Sequence, residues 1–415
     1  MATPVSPRLK RQSKIAGAGF TIDYAGKTPR GQILNSEAGE YEVISPFVKG
    51  QNHLIYGDNL RALAHLVRDP SVRGNVKLVY IDPPFATDAG FESRSQNHAY
   101  DDTLTGPAFI EHLRQRLVFI HELMASDGTI YLHLDGRMIF QAKMVMDEIF
   151  GEKNFQNLIT RKKCNPKNYT RKSYGNVSDY ILFYSKTSTF TWNRPFDAWD
   201  DERSLKEYPY IDEQGRRYKK VPVHAPGVRN GETGGLWKGK KPPPGKHWQY
   251  TPAKLDALDE AGDIYWSPTG NPRRKIYLEK SLGIPVQDIW LNMRDAHNQN
   301  IRVTGYPTEK NVDMLRQIVG ASSNEGDMVL DCYAGSGTTL AAASEMGRRW
   351  IGVDQSGEAI ETILKRFKHG TEIMGDFVSV KPAALAADHD EIDDFVFLKD
   401  VAMTISTQEE LFKIG

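Results

Sequence analysis

Asp82-Pro83-Pro84-Phe85 closes the apolar run Lys77-Leu78-Val79-Tyr80-Ile81 and joins a carboxylate, a backbone carbonyl on a stiff turn, and an aromatic ring. The run is short, β-branched and aromatic, with breakers at its ends, so it reads as a buried strand of a parallel sheet. Two prolines cannot continue a ladder, and they stiffen the turn that follows. In open α/β sheets the active site lies at the carboxyl ends of the strands. A planar ring bearing an amino group suits this set. Asp82 and the Pro83 carbonyl accept its N–H hydrogens, Pro84 stiffens the turn, and Phe85 stacks on the ring face. Alone, the tetrapeptide is equally an ordinary turn after a strand.

A second stretch changes that balance. Val329-Leu330-Asp331-Cys332-Tyr333-Ala334-Gly335-Ser336-Gly337-Thr338-Thr339 runs from an apolar strand through glycines into the helix formers Leu340-Ala341-Ala342-Ala343. Glycines there let backbone approach a ligand at a helix N-terminus. Trp350-Ile351-Gly352-Val353-Asp354 then reads as a strand ending in an acid, suited to accept ribose hydroxyls. A phosphate-binding P-loop would need Gly-Lys-Ser/Thr, but Gly337 is followed by Thr338. A dinucleotide fingerprint would need a third glycine where Leu340 stands. A nucleoside without a pyrophosphate, such as S-adenosylmethionine, is the remaining option.

With these two motifs in this order, the chain resembles the β-class amino-group DNA methyltransferases of restriction-modification systems, and is similar to type III modification subunits. Asp82-Pro83-Pro84-Phe85 matches their catalytic tetrapeptide, and Asp331 to Gly337 their cofactor loop, with Tyr333 where that loop usually has Phe. The resemblance covers roughly residues 51 to 370. It implies a Rossmann-like α/β methyltransferase fold, circularly permuted, with an inserted target-recognition domain. The implied segments are an N-terminal arm (1–50), a catalytic half (51–186), a target-recognition domain (187–300), a cofactor-binding half (301–375) and a C-terminal extension (376–415). The implied cofactor set is Asp58 beside the adenine, Asp331, Tyr333, Gly335, Gly337 and Asp354. Tyr306-Pro307-Thr308-Glu309-Lys310 adds Thr308 as a helix cap and Lys310 near the methionine carboxylate. The implied reaction moves a methyl group from S-adenosylmethionine to N6 of an adenine flipped out of double-stranded DNA. Asp before Pro-Pro favours adenine over cytosine N4 within the family. The alternatives are a cytosine-N4 enzyme, or a modification subunit active only in a restriction complex. A restriction endonuclease subunit and a second copy of the chain are the protein partners this allows. The expected location is cytoplasmic and nucleoid-associated, in a bacterium or archaeon.

These motifs need elements to carry them. Asn52 to Tyr56 reads as a strand ending in Gly57-Asp58, where Asp58 is equally a helix cap. After Phe85, polar residues to about 106 read as a mobile loop over the site. Helix spacing over 107–125 leads to the strand Gly128–Leu134. His133 within that strand is a candidate base, though an imidazole there is more often a satisfied core group. Gln141 to Phe150 reads as an amphipathic helix stopped by Gly151. The strand Phe155–Thr160 leads into Arg161, Lys162, Lys163, Lys167, Arg171 and Lys172, interleaved with Tyr169 and Tyr174, a pattern suited to phosphate and base contact. Beyond it, Arg216, Arg217, Lys240, Lys241, Arg273 and Arg274 stand among prolines, glycines and aromatics, as candidate base-edge and phosphate contacts.

The 415 residues are 40% hydrophobic and 26% charged with formal net charge zero, so DNA contact must come from local patches. Two cysteines, Cys164 and Cys332, give no metal spacing or disulfide framework, and no metal is expected. No stretch suggests a membrane span or an apolar signal core.

Overall fold

The computed structural model describes residues 21–48, 50–84, 91–92, 98–100, 106–166, 172–295, 302–303, 306, 309–369, 372–373 and 395–403. Phe85, Arg171, Thr308, the basic residues before position 15, and the acidic run Asp388–Asp394 lie outside them, as does most of the expected loop over the site.

Two compact units emerge, residues 194–286 and the remainder of the chain. The larger is built on a ten-stranded sheet. Its strands run in the order Tyr41–Val48, Phe395–Asp400, Asn52–Tyr56, Arg349–Asp354, Met328–Asp331, Val76–Ile81, Met124–Leu134, Ser178–Ser185, Phe155–Lys162 and Ile289–Trp290. The six from Phe395–Asp400 to Met124–Leu134 are parallel. Tyr41–Val48 and Ser178–Ser185 run against their neighbours. This is an α/β doubly wound fold.

The pattern of apolar residues explains the parallel block. Val76, Leu78, Val79, Tyr80 and Ile81 are all buried, as are Val329 and Leu330. Residues pointing to opposite faces are therefore both covered, which a parallel sheet clothed on both sides requires. The helix Pro107–Leu123 starts with proline at its first turn and buries Phe109, Leu113, Leu117, Ile120 and Leu123 in the same core. Gly151, at φ +87°, ends the helix Ile139–Phe150 as expected.

The Asp82 strand and the strand leading to the glycine loop are neighbours, with Val329 opposite Leu78 and Leu330 opposite Val79. From one the chain continues to Met124–Leu134 on one side; from the other it goes to Arg349–Asp354 on the opposite side. That junction is the topological switch point, where open sheets leave a crevice for ligand.

Two stretches differ from their sequence reading. Part of the expected N-terminal arm is ordered: Tyr24 donates to Glu111 at 2.5 Å, the Ile22 N–H donates to Glu148 at 3.1 Å, and Tyr41–Val48 is a strand of the sheet. The expected C-terminal extension supplies Phe395–Asp400, inserted between Tyr41–Val48 and Asn52–Tyr56. Phe395 and Phe397 are buried, so that segment is core.

The smaller unit spans 194–286, inside the expected 187–300. Four short antiparallel strands, Tyr210–Ile211, Arg217–Pro222, Pro272–Tyr277 and Ile264–Trp266, form its main sheet. Trp237 and Trp248 are buried with Val223, Leu255 and Ile264 in a separate core.

Candidate active site

Asp82 follows its strand directly, and its two carboxylate oxygens have different surroundings. Oδ2 receives Lys310 Nζ at 2.7 Å. Oδ1 is buried with no hydrogen-bond partner among the described residues, 3.9 Å from His133 Nδ1. A buried acceptor left unsatisfied costs on the order of 1–3 kcal/mol, so an incoming N–H donor would recover that cost. Lys310, expected near a methionine carboxylate, is here paired with the acid of the tetrapeptide.

Behind Asp82 lies a buried polar chain. Tyr80 Oη is 2.8 Å from His133 Nδ1, and His133 Nε2 is 3.0 Å from Asp179 Oδ2. Arg161 grips Asp179 bidentately, at 2.8 and 2.6 Å, and reaches Asp295 at 2.6 Å. Burial opposes ionisation of Asp179, but His133 and Arg161 together hold its carboxyl well below the usual range. Burial drives Tyr80 well above an ordinary phenol, so it remains O–H. Arg161 corrects the sequence reading: it is 0% exposed and offers no atom to a DNA phosphate. Side chains alternate along a strand, so Arg161 turns inward while Lys162 stays partly exposed; Lys163, past the strand's end, is partly exposed too. Lys172 is exposed.

The glycine loop rises from Asp331 beside this cluster. Gly335 and Gly337 take φ of +51° and +71°, conformations that suit glycine. A Cβ on Gly337 would stand 2.8 Å from Ile363 Cγ1, and one on Gly335 would stand 3.5 Å from the Tyr306 ring. Gly337 caps the helix Thr338–Glu345. Asp331 accepts the Tyr333 N–H at 3.0 Å, and burial pushes its carboxyl up to about 7. Asp354 accepts N–H groups from Gly335 at 2.8 Å and Ser356 at 2.9 Å, with burial raising it to about 6. Asp354, expected at ribose hydroxyls, thus visibly braces the loop.

Asp58 is the helix cap its sequence allowed, and it also holds an arginine. Oδ1 caps the helix Asn59–Leu66 by accepting the Arg61 N–H at 3.0 Å, and Oδ2 lies 3.4 Å from Arg116. Arg116 also donates to Asn59 at 2.7 Å, and Asn59 to the Cys332 carbonyl at 2.9 Å. Arg116, Asn59, Tyr80 and Asp179 had no sequence signature, because their roles depend on which helices and strands pack together across the fold. The crevice therefore gathers Asp82, Lys310, Asp58 and the 331–337 loop from segments far apart in the chain. A narrow loop with two positive-φ glycines, an acid at either side and an orphaned acceptor fits a nucleoside bound against an amine.

In the smaller unit, Arg216 pairs with Asp212 at 2.8 Å and stacks on Tyr277, while Arg274 donates to Tyr250 at 2.6 Å. Lys241 and Arg273 are exposed, and Arg217 and Lys240 are partly so. Lys220 lies over the Tyr210 and Tyr265 rings at 3.7 and 3.5 Å, which gives this unit a cationic aromatic surface. No helix among the described residues is long and apolar enough to cross a membrane.

Residues 76–365 match the N6/N4 family model described as DNA methylase. The type II methyltransferase M.EcaI of Enterobacter cloacae is 52% identical over 370 residues, covering 88% of this chain and 81% of its own. The Mod subunit of the type III restriction-modification enzyme StyLTI of Salmonella typhimurium is 25% identical over 453 residues, covering 95% of this chain and 68% of its own. Among solved structures, the M1.HpyAVI–SAM complex aligns with 76% of this chain and 98% of its own, at 15% identity and a TM-score of 0.41.

Proposed function

This chain belongs to the DNA methylase family, and we propose that it methylates N6 of adenine at a specific sequence in double-stranded DNA, with S-adenosylmethionine as donor. The observation that carries the reading is the buried, orphaned Asp82 Oδ1 just past the end of its strand. The target amine is locked in a stacked duplex, so the base has to be flipped out to reach it. Asp82 Oδ1 and the Pro83 carbonyl accept the two N–H hydrogens of the exocyclic amine. They draw its lone pair out of ring conjugation and fix its direction. Phe85, next in the chain, stacks on the base. S-adenosylmethionine supplies the electrophilic methyl group, held by the 331–337 loop with Asp58. Alignment of two bound reactants accounts for a large part of the acceleration. No covalent bond to the protein is needed.

Adenine is favoured over cytosine by the acid before Pro-Pro. Lys162, Lys163 and Lys172 of the larger unit, and Arg217, Lys240, Lys241 and Arg273 of the smaller, are the proposed DNA contacts. The smaller unit is the proposed reader of sequence. The likeness to a Mod subunit supports a second proposal, that the protein works beside a restriction endonuclease.

The test is sequencing of DNA from cells expressing the protein, with Asp82→Ala as control. N6-methyladenine at one short motif, absent from the variant, is the expected result, and the purified variant should still bind the cofactor. N4-methylcytosine instead would overturn the adenine assignment, and full activity of the variant would overturn the role of Asp82.

A further inference from the structure

The buried chain behind Asp82 is more than the reading above requires. His133 is 0% exposed, yet it stands between two carboxylates rather than among apolar groups. We propose that His133 is a positioning residue that takes up, through Asp82, the proton released when the target amine is methylated.

The need arises from the chemistry. An amine nitrogen that gains a methyl group becomes cationic and must shed one proton to give the neutral methylamino product. In the site read above, on which this inference rests, Asp82 Oδ1 is the acceptor in contact with that N–H. Asp82 already holds an ion pair with Lys310 through Oδ2, at 2.7 Å. His133 is the next group along the buried chain. Asp179 at 3.0 Å stabilises an imidazolium, and Arg161 fixes Asp179 from the far side.

The contacts also select the tautomer. Asp179 is held ionised and can only accept, so the 3.0 Å approach of its Oδ2 favours the hydrogen of His133 on Nε2, although that contact is not aligned as a hydrogen bond. Nδ1 is then the bare nitrogen, accepting from the Tyr80 hydroxyl at 2.8 Å. The same Nδ1 faces Asp82 Oδ1 at 3.9 Å, beyond hydrogen-bond length, so Asp82 turns toward it as the proton crosses. One N–H bond of the amine breaks, an O–H bond forms on Asp82, and the proton passes to Nδ1 with Asp179 as counter-charge. After product leaves, it returns by Asp82, the partly exposed member, to solvent. The charged and titratable groups facing the imidazole are Tyr80 and Asp82 from the strand Val76–Ile81 and its turn, and Asp179 from Ser178–Ser185. Arg161, Asp295 and Lys310 form the shell behind them.

The experiment is single-turnover methyl transfer to unmethylated duplex DNA across about pH 5.5 to 9.5, with the full-length protein and its variants. Folding is followed by thermal melting, and cofactor affinity by calorimetry. Wild type should lose rate on the acid side, because the relay needs Nδ1 bare. His133→Gln should melt and bind cofactor as wild type does, transfer at least tenfold more slowly, and lack that acid limb. Asp179→Asn keeps the imidazole but removes its counter-charge, so its profile should differ from that of wild type. Nitrogen NMR of labelled wild-type histidine, with His133→Gln or Asp179→Asn for assignment, should give the Nε2–H tautomer. His133→Gln with wild-type rate and profile overturns the proposal, as does an Asp179→Asn profile superimposable on wild type, or an Nδ1–H tautomer. If His133→Gln fails to fold, Asp179→Asn and the NMR decide. Full activity of Asp82→Ala would instead remove the underlying reading of the site.

Discussion

At the scale of residues, charge matters here by where it is buried. Arg161 is enclosed with two carboxylates, and removing one partner of a buried ion pair typically costs about 3–5 kcal/mol because the other charges are stranded. Arg161→Ala should therefore lower the urea midpoint strongly, whereas Lys241→Ala should leave it unchanged and weaken DNA binding with a shallower salt dependence. Asp331 has the opposite sign from Asp179. Its carboxyl is raised to about 7 by burial, so its favourable contribution is complete below the ordinary carboxylate range and is lost as pH rises through about 7. Asp179, depressed by its partners, contributes above the ordinary range and is lost on acidification. Asp331→Asn should consequently gain on wild type in urea stability between about pH 5 and pH 8. A constant difference between the two would mean that Asp331 does not titrate in that window.

At the scale of elements, what could be read from the sequence was whatever is encoded locally. Continuous apolar runs announced the strands around Asp82 and Asp331, since both sheet faces demand apolar residues there. The glycines announced the loop because φ at Gly335 and Gly337 is positive. Gly337→Ala combines an unfavourable φ with a Cβ 2.8 Å from Ile363, and strain of this kind costs on the order of 1–3 kcal/mol. The variant should lose cofactor affinity in calorimetry more than it loses thermal stability; unchanged affinity would mean the loop tolerates the shift. Pairing across the sheet was not legible. Arg161 and Asp179 are cross-strand partners, which converts part of a basic run into core, and no feature of either segment alone announces it. His133 was visible only as an anomaly in an apolar strand, and its partners came with the neighbouring strands. The ordered stretches near both ends were missed for the same reason: short strands near polar tails carry little periodicity of their own.

At the scale of the whole molecule, the two compact units have separate cores, so their contributions can be divided experimentally. Replacing 194–286 with a flexible linker should leave a chain that melts cooperatively and binds S-adenosylmethionine, but no longer methylates at one sequence. Retained motif specificity would move target reading into the larger unit. The sheet itself has a further consequence for how the protein is made. Phe395–Asp400 fills the slot between Tyr41–Val48 and Asn52–Tyr56, and Arg61 clips it through Asp400 at 2.9 Å. A ribosome emits the two flanking strands first, and at roughly 5–20 residues per second the filler follows only after about 20–70 s. Asn52–Tyr56 gains its other neighbour, Arg349–Asp354, only shortly before, and from then until the filler arrives the nascent polypeptide carries an open parallel edge there, a site for holdase chaperones or for mispairing with a neighbouring copy on the same polysome. Completion of the sheet is thus a late event of biosynthesis, and host cells with slower elongation or fewer chaperones should deliver less soluble enzyme from the same message.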